Sequence, residues 1–174
     1  MGIDLKAKII AAAAKVLLRE GLQGWSVDLV AAEAGCAKGL IHYHHGSKKE
    51  LLGRVAGQLA RDRVARRMAA LSESGAEALD GLWNALEGEV RSGAWAAWAA
   101  LTAAPGIVGP TEAPTEIAAF GAAVGRALDL PALSPDDARL ADSALDGFQL
   151  ALARGAPGEA VHEAYHRLWL ALLP

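Results

Sequence analysis

The chain has 174 residues, 53% of them hydrophobic and 21% charged, with a formal net charge of -3. This is enough apolar material to bury a core and too little net charge for a disordered chain, while no apolar run reaches the ~20 residues that a membrane span needs. One cysteine, Cys36, allows no internal disulfide and agrees with a reducing compartment.

Met1 to Leu18 carries Asp4, Lys6, Lys8 and Lys15 among its apolar residues, unlike a signal peptide, so a cytoplasmic location with no membrane partner is expected. A first helix is predicted over Asp4 to Arg19, where Leu5, Ile9, Ala12, Ala13 and Val16 follow a 3.6-residue stripe and Glu20-Gly21 marks the exit. Leu22 and Trp25 close its small core. Ser26 is placed to cap the next helix, with Asp28 in the positive first turn and Trp25 and Val30 as a hydrophobic staple. Gly35 falls where a left-handed residue ends that helix, so Gly35, Cys36 and Ala37 turn the chain into Lys38 to His44. Two short helices around a tight turn are a helix-turn-helix. Ser47 and Glu50 then form a capping box that starts a fourth helix, Lys48 to Leu71, long enough at 1.5 Å per residue to bridge a head and a body.

Ser72 to Gly75 marks a boundary. Beyond it, helices are predicted over Ala76 to Arg91, Gly93 to Ala104, Glu116 to Leu128, Pro135 to Arg154 and Pro157 to Leu172. Pro105 to Pro114, with three prolines and two glycines, reads as a loop, and Ser134 caps the helix that begins at Pro135. No strand pattern or repeat is visible. The predicted class is all-α: an N-terminal three-helix bundle with a helix-turn-helix, joined by a long helix to a C-terminal helical domain, about nine helices in all. The predicted division is 1–47 for the head and 48–174 for the body, with residues 48–71 as connector.

Charge is unevenly spread. Residues 1–67 hold 12 basic and 6 acidic groups, residues 68–174 hold 5 and 14. A basic head on an acidic body points to nucleic acid as partner, against the plainer reading of a solvated charge run on the fourth helix.

In order, Gly35, Lys38 and Gly39, the cluster His42 to His45, then Gly46, Ser47, Lys48, Glu50 and Leu51 resemble the DNA-binding domain of the TetR (tetracycline repressor) family. The resemblance covers about the first third of the chain. It implies a homodimeric, cytoplasmic regulator, not an enzyme, that represses transcription from a palindromic operator in double-stranded DNA and dimerises through its last two helices. It also implies that the C-terminal helical domain is the ligand-binding and dimerisation domain. A recognition helix this short reads few base pairs, so two copies are required. The DNA contacts expected are Lys38, Gly39, Leu40, Tyr43, His44 and Lys48, with His42 packed inward beside Ile41. Three positions depart from the family pattern. Ala37 replaces a capping serine, Leu40 a hydroxyl residue and His45 a phenylalanine, and a buried imidazole there should be neutral. Arg61, Arg63, Arg66 and Arg67 are expected to be solvated or between domains.

The body is expected to hold a small apolar or aromatic effector between Trp83, Leu86, Trp95, Trp98, Phe120, Phe148 and Gln149, with Asn84 and Thr102 as further polar groups. The alternative use for these aromatics is simple core filling. No cofactor and no metal site is expected, since His42, His44 and His45 have no further ligand at suitable spacing. There is no G-x-S-x-G, H-E-x-x-H or phosphate loop to support catalysis. The rival readings are a helical carrier of small hydrophobes and an effector-independent DNA-binding protein.

Overall fold

The structure, a computed structural model, describes residues 4–107 and 114–172. Among them are nine α-helices and no strand: α1 (Leu5–Gly24), α2 (Val27–Ala34), α3 (Lys38–His45), α4 (Lys48–Ala70), α5 (Ala76–Arg91), α6 (Ala94–Ala103), α7 (Pro114–Ala127), α8 (Pro135–Ala153) and α9 (Gly158–Leu172). The expected all-α class is therefore observed. Of the predicted loop at Pro105 to Pro114, residues 108–113 lie outside the described residues.

Two compact units are present. One is Met1–Asp62 with Ser92–Pro110, the other Arg63–Arg91 with Thr111–Pro174. The head thus takes in the first part of α4 and all of α6.

In the head, Ile9, Ala12, Ala13, Val16 and Leu17 of α1 meet Val30 and Ala34 of α2, Ile41 of α3, and Leu51, Leu52, Val55, Ala56 and Leu59 of α4. Asp4 caps α1 by accepting the Lys6 amide. Gly21, at φ 66°, breaks the helical path where the exit was expected. Trp25 is 2% exposed, and its indole donates to Ala13 O at 3.0 Å, so its one polar atom is satisfied inside the core.

The body core gathers Leu82, Trp83 and Leu86 of α5, Ile117, Phe120 and Val124 of α7, Ala138, Ala141 and Leu145 of α8, and Val161, Tyr165 and Trp169 of α9. Ser134 caps α8 by accepting the Asp137 amide at 3.1 Å, and Pro135 opens the helix where its missing amide proton costs nothing. At Gly125 a Cβ would come within 2.6 Å of Pro131 O and 2.8 Å of Ala132 Cα. Only glycine lets the turn after α7 fold back so closely.

Candidate nucleic-acid interface

α2 begins because Ser26 Oγ accepts the Leu29 amide at 3.3 Å. It ends at Gly35, φ 63° and ψ 43°, where the Cys36 amide donates to Ala31 O at 3.1 Å and the Gly35 amide to Ala32 O at 3.3 Å. This double closure needs a left-handed residue and sets the turn into α3. α3 starts at Ala37 with no side-chain cap, as the substitution for serine implied. The Ser47 and Glu50 box is formed in both directions, the Ser47 amide donating to the Glu50 carboxylate at 2.7 Å and the Glu50 amide to Ser47 Oγ at 3.3 Å, and hydrogen bonding from the Ser47 backbone, then its side chain, holds the Glu50 carboxyl below its ordinary pKa.

α3 is two-faced. Ile41 and His45, one turn apart, point inward and are 1% and 3% exposed. Lys38, Gly39, Leu40, His42 and Tyr43 are exposed, Tyr43 at 82%, and His44 is half-buried. All five residues of α3 expected at DNA therefore retain some solvent access. His42 corrects an expectation: it is exposed, not packed beside Ile41, and its Nδ1 lies 3.0 Å from Gly46 O. His45 takes the inward place. Burial first, then the nearby Arg54 charge, pushes its pKa down and leaves the ring neutral near pH 7.

Both expected lysines have local partners. The Lys38 ammonium lies 2.9 Å from Asp28, in a pair whose side chains are 51% and 72% exposed. Such an exposed pair is weak and exchanges readily for a phosphate. Lys48 donates to Trp25 O at 3.0 Å and sits 5.3 Å from the centroid of the Trp25 ring, so it also braces the start of α4.

Residues 9–55, spanning α1 to the first turns of α4, match the family of bacterial regulatory proteins called the tetR family. Similar solved structures share nearly the whole chain. The multidrug binding protein EbrR, complexed with imidazole, is 26% identical over 96% of each chain with a TM-score of 0.67. A TetR-family member from Streptomyces coelicolor A3 is 26% identical over 95% of this chain and 98% of its own, TM-score 0.63. The chain is TetR-like. No protein of curated function matches the sequence. A transcriptional regulator from Rhodococcus sp. RHA1, at 16% identity and TM-score 0.72 over 97% and 95% of the two chains, supports the TetR-like fold alone. Over residues 9–55 the chain resembles the tetR family and over nearly its whole length it shares the fold of solved TetR-family structures, and a DNA-binding transcriptional regulator is the coarse reading that these likenesses support.

The TetR-like body places the expected ligand residues differently from one another. A cavity of about 180 Å³ is lined by Val64, Arg67 and Met68 of α4, Glu116, Ile117, Ala119 and Phe120 of α7, and Asp142 of α8. Of the seven residues expected at an effector, Phe120 reaches it. Trp83 and Leu86 are buried in the body core, with Phe148 packed against it. Trp95, 8% exposed, and Trp98 belong to the head, where Trp98 packs against the core of α1 to α4. Thr102 is exposed on α6 and bonds the carbonyls of Trp98 and Ala99.

Gln149 is fully buried in an ionic network. Arg63 donates to Glu89 at 3.1 Å and to Gln149 at 3.0 Å, and also pairs with Asp146. Arg66 reaches Glu89 at 3.0 Å, while Arg67 bonds Asp146 at 2.7 Å and pairs with Asp142. Gln149 returns its amide to Glu89 at 2.9 Å and to Leu86 O at 3.2 Å. Of the roles expected for Arg63 and Arg67, solvated or between domains, the solvated one is excluded, since each is 6% exposed. A signal was present in the i, i+4 spacing of Arg63 and Arg67, which is repeated by Asp142 and Asp146.

Proposed function

We propose that this chain is a homodimeric repressor that inserts α3 into the major groove of a palindromic operator and is released by a small apolar or aromatic ligand. The observation that carries the DNA reading is the outer face of α3, where Lys38, Gly39, Leu40 and Tyr43 stand exposed on a helix anchored from behind by Ile41 and His45. Lys38 supplies phosphate attraction, Gly39 leaves space for a close backbone, with no atom within 4 Å of a Cβ built there, and Leu40 offers an apolar contact to a thymine methyl. Lys48 adds a second phosphate contact with the protons that Trp25 does not use.

Dimerisation through α8 and α9 is supported by Leu140, Leu150 and Leu170, which are 56%, 39% and 70% exposed. The body cavity supports ligand release, because it borders the Arg67 and Asp142 pair on the helix that continues into the head. A ligand that separates this pair favours another setting of α4, and by linkage DNA weakens the ligand by the same factor. At about 180 Å³ the cavity suits a compact molecule. EbrR, similar in sequence and fold, is described as multidrug binding and holds imidazole.

The test is selection of bound duplexes from a random pool, followed by titration of the winner across salt concentrations and then with compact aromatic ligands. A two-fold symmetric site with steep salt dependence is the expected result. A folded dimer with no duplex binding at low salt would instead favour the carrier.

A further inference from the structure

His162 and His166 stand at i and i+4 on α9, so both imidazoles leave one face of the helix. α5 brings Asp80 to that face. One donor atom from each of the three residues lies within 4.8 Å of the other two. The arrangement is pinned from both sides, because Tyr165, between the two histidines, donates its hydroxyl to Leu79 O at 2.6 Å, the residue before Asp80. The His162 ring lies against Trp83, with centroids 4.5 Å apart and planes 30° apart, and the two imidazole centroids are 4.3 Å apart. Nε2 of His162 is buried and has no hydrogen-bond partner among the described residues. A buried ring nitrogen left unbonded is costly, and in a residue grouped with a second imidazole and a carboxylate it has a natural partner in a cation.

We propose that Asp80, His162 and His166 form a binding site for a divalent transition-metal ion of the zinc, cobalt or nickel class. Two imidazole nitrogens and one carboxylate oxygen are the donor set such ions take, whereas magnesium and calcium select all-oxygen surroundings. A tetrahedral ion holds its donors ~3.4 Å apart, so binding draws the three side chains together from their present spacing, with the exposed Asp80 the most open to move. Three protein ligands leave one position for water or an exchangeable donor. The ion ties α5 to α9 inside the body, and the site stands independently of the DNA reading.

The experiment uses the full chain, freed of metal with a chelator and titrated with zinc and nickel ions by calorimetry and by tryptophan fluorescence, which Trp83 couples to the site. One ion per chain, with a dissociation constant of ~1 µM or tighter and a raised melting temperature, is expected. His166→Ala and Asp80→Ala each weaken binding by ~100-fold with unchanged metal-free melting, and His162→Gln does so while replacing the ring on Trp83 with a planar amide of similar size. The double variant His42→Ala/His44→Ala, which removes the two solvent-accessible imidazoles of α3, keeps the site intact. Absence of saturable binding below ~100 µM, or binding that survives His166→Ala, or binding abolished by the α3 double variant, overturns the proposal.

Discussion

His45 fills the inward turn of α3 with 3% of its surface exposed, and burial pushes its imidazole below the ordinary 6.5. The unfolded chain therefore takes up a proton that the folded chain refuses. Stability is complete above the unfolded pKa and declines as pH falls through the window beneath it. Melting measured between about pH 7.5 and 5.5 should show this decline, and His45→Phe should both raise the melting temperature and flatten the dependence on pH. Lys38→Ala should weaken operator binding, lower the slope of log affinity against log salt by ~1 and leave melting nearly unchanged. Lys48→Ala differs, because the Trp25 carbonyl and ring lose their partner: a stability loss of ~0.5–1.5 kcal/mol should accompany weaker binding. At this scale the caps were legible, since Ser26, Gly35, Ser47 and Glu50 act on residues at most a few positions away. His42 was not, because α3 turns Ile41 and His45 inward together, and a histidine at position 45 did not look like the residue that anchors the helix.

At the scale of elements, α4 is the helix whose surroundings were least readable. Its arginines look like any solvated run until α8 supplies carboxylates 75 to 83 residues away in sequence. Such a buried network is costly to break, since truncating one member strands the others without water. Glu89→Ala should therefore destabilise the chain by ~3–5 kcal/mol in denaturant unfolding. The same scale separates two glycines. Gly125→Ala drives a methyl group into the backbone at Pro131 and Ala132 and should cost ~2 kcal/mol or more, whereas Gly147→Ala, with open space around it on α8, should gain up to ~1 kcal/mol. Equality of the two in thermal unfolding would contradict the packing described for the turn after α7.

For the whole molecule, the exposed leucines of α8 and α9 allow a direct check. Leu140→Glu with Leu170→Glu should shift sedimentation from dimer to monomer at micromolar concentration and weaken operator binding, while each chain stays folded. Helix number and order were readable from periodicity and punctuation, because these are local. Allocation of helices to units was not: tryptophan-rich α6 has the composition of the body, yet Trp98 packs with the head. The burial of Arg63 and Arg67 and the pairing of Arg66 have one more consequence. With these cations in the body, the head unit keeps 9 Lys and Arg against 6 Asp and Glu, a surplus of three. On the reading proposed above, attraction to phosphate then rests on a few cations, Lys38 and Lys48 among them, and not on a broad positive surface.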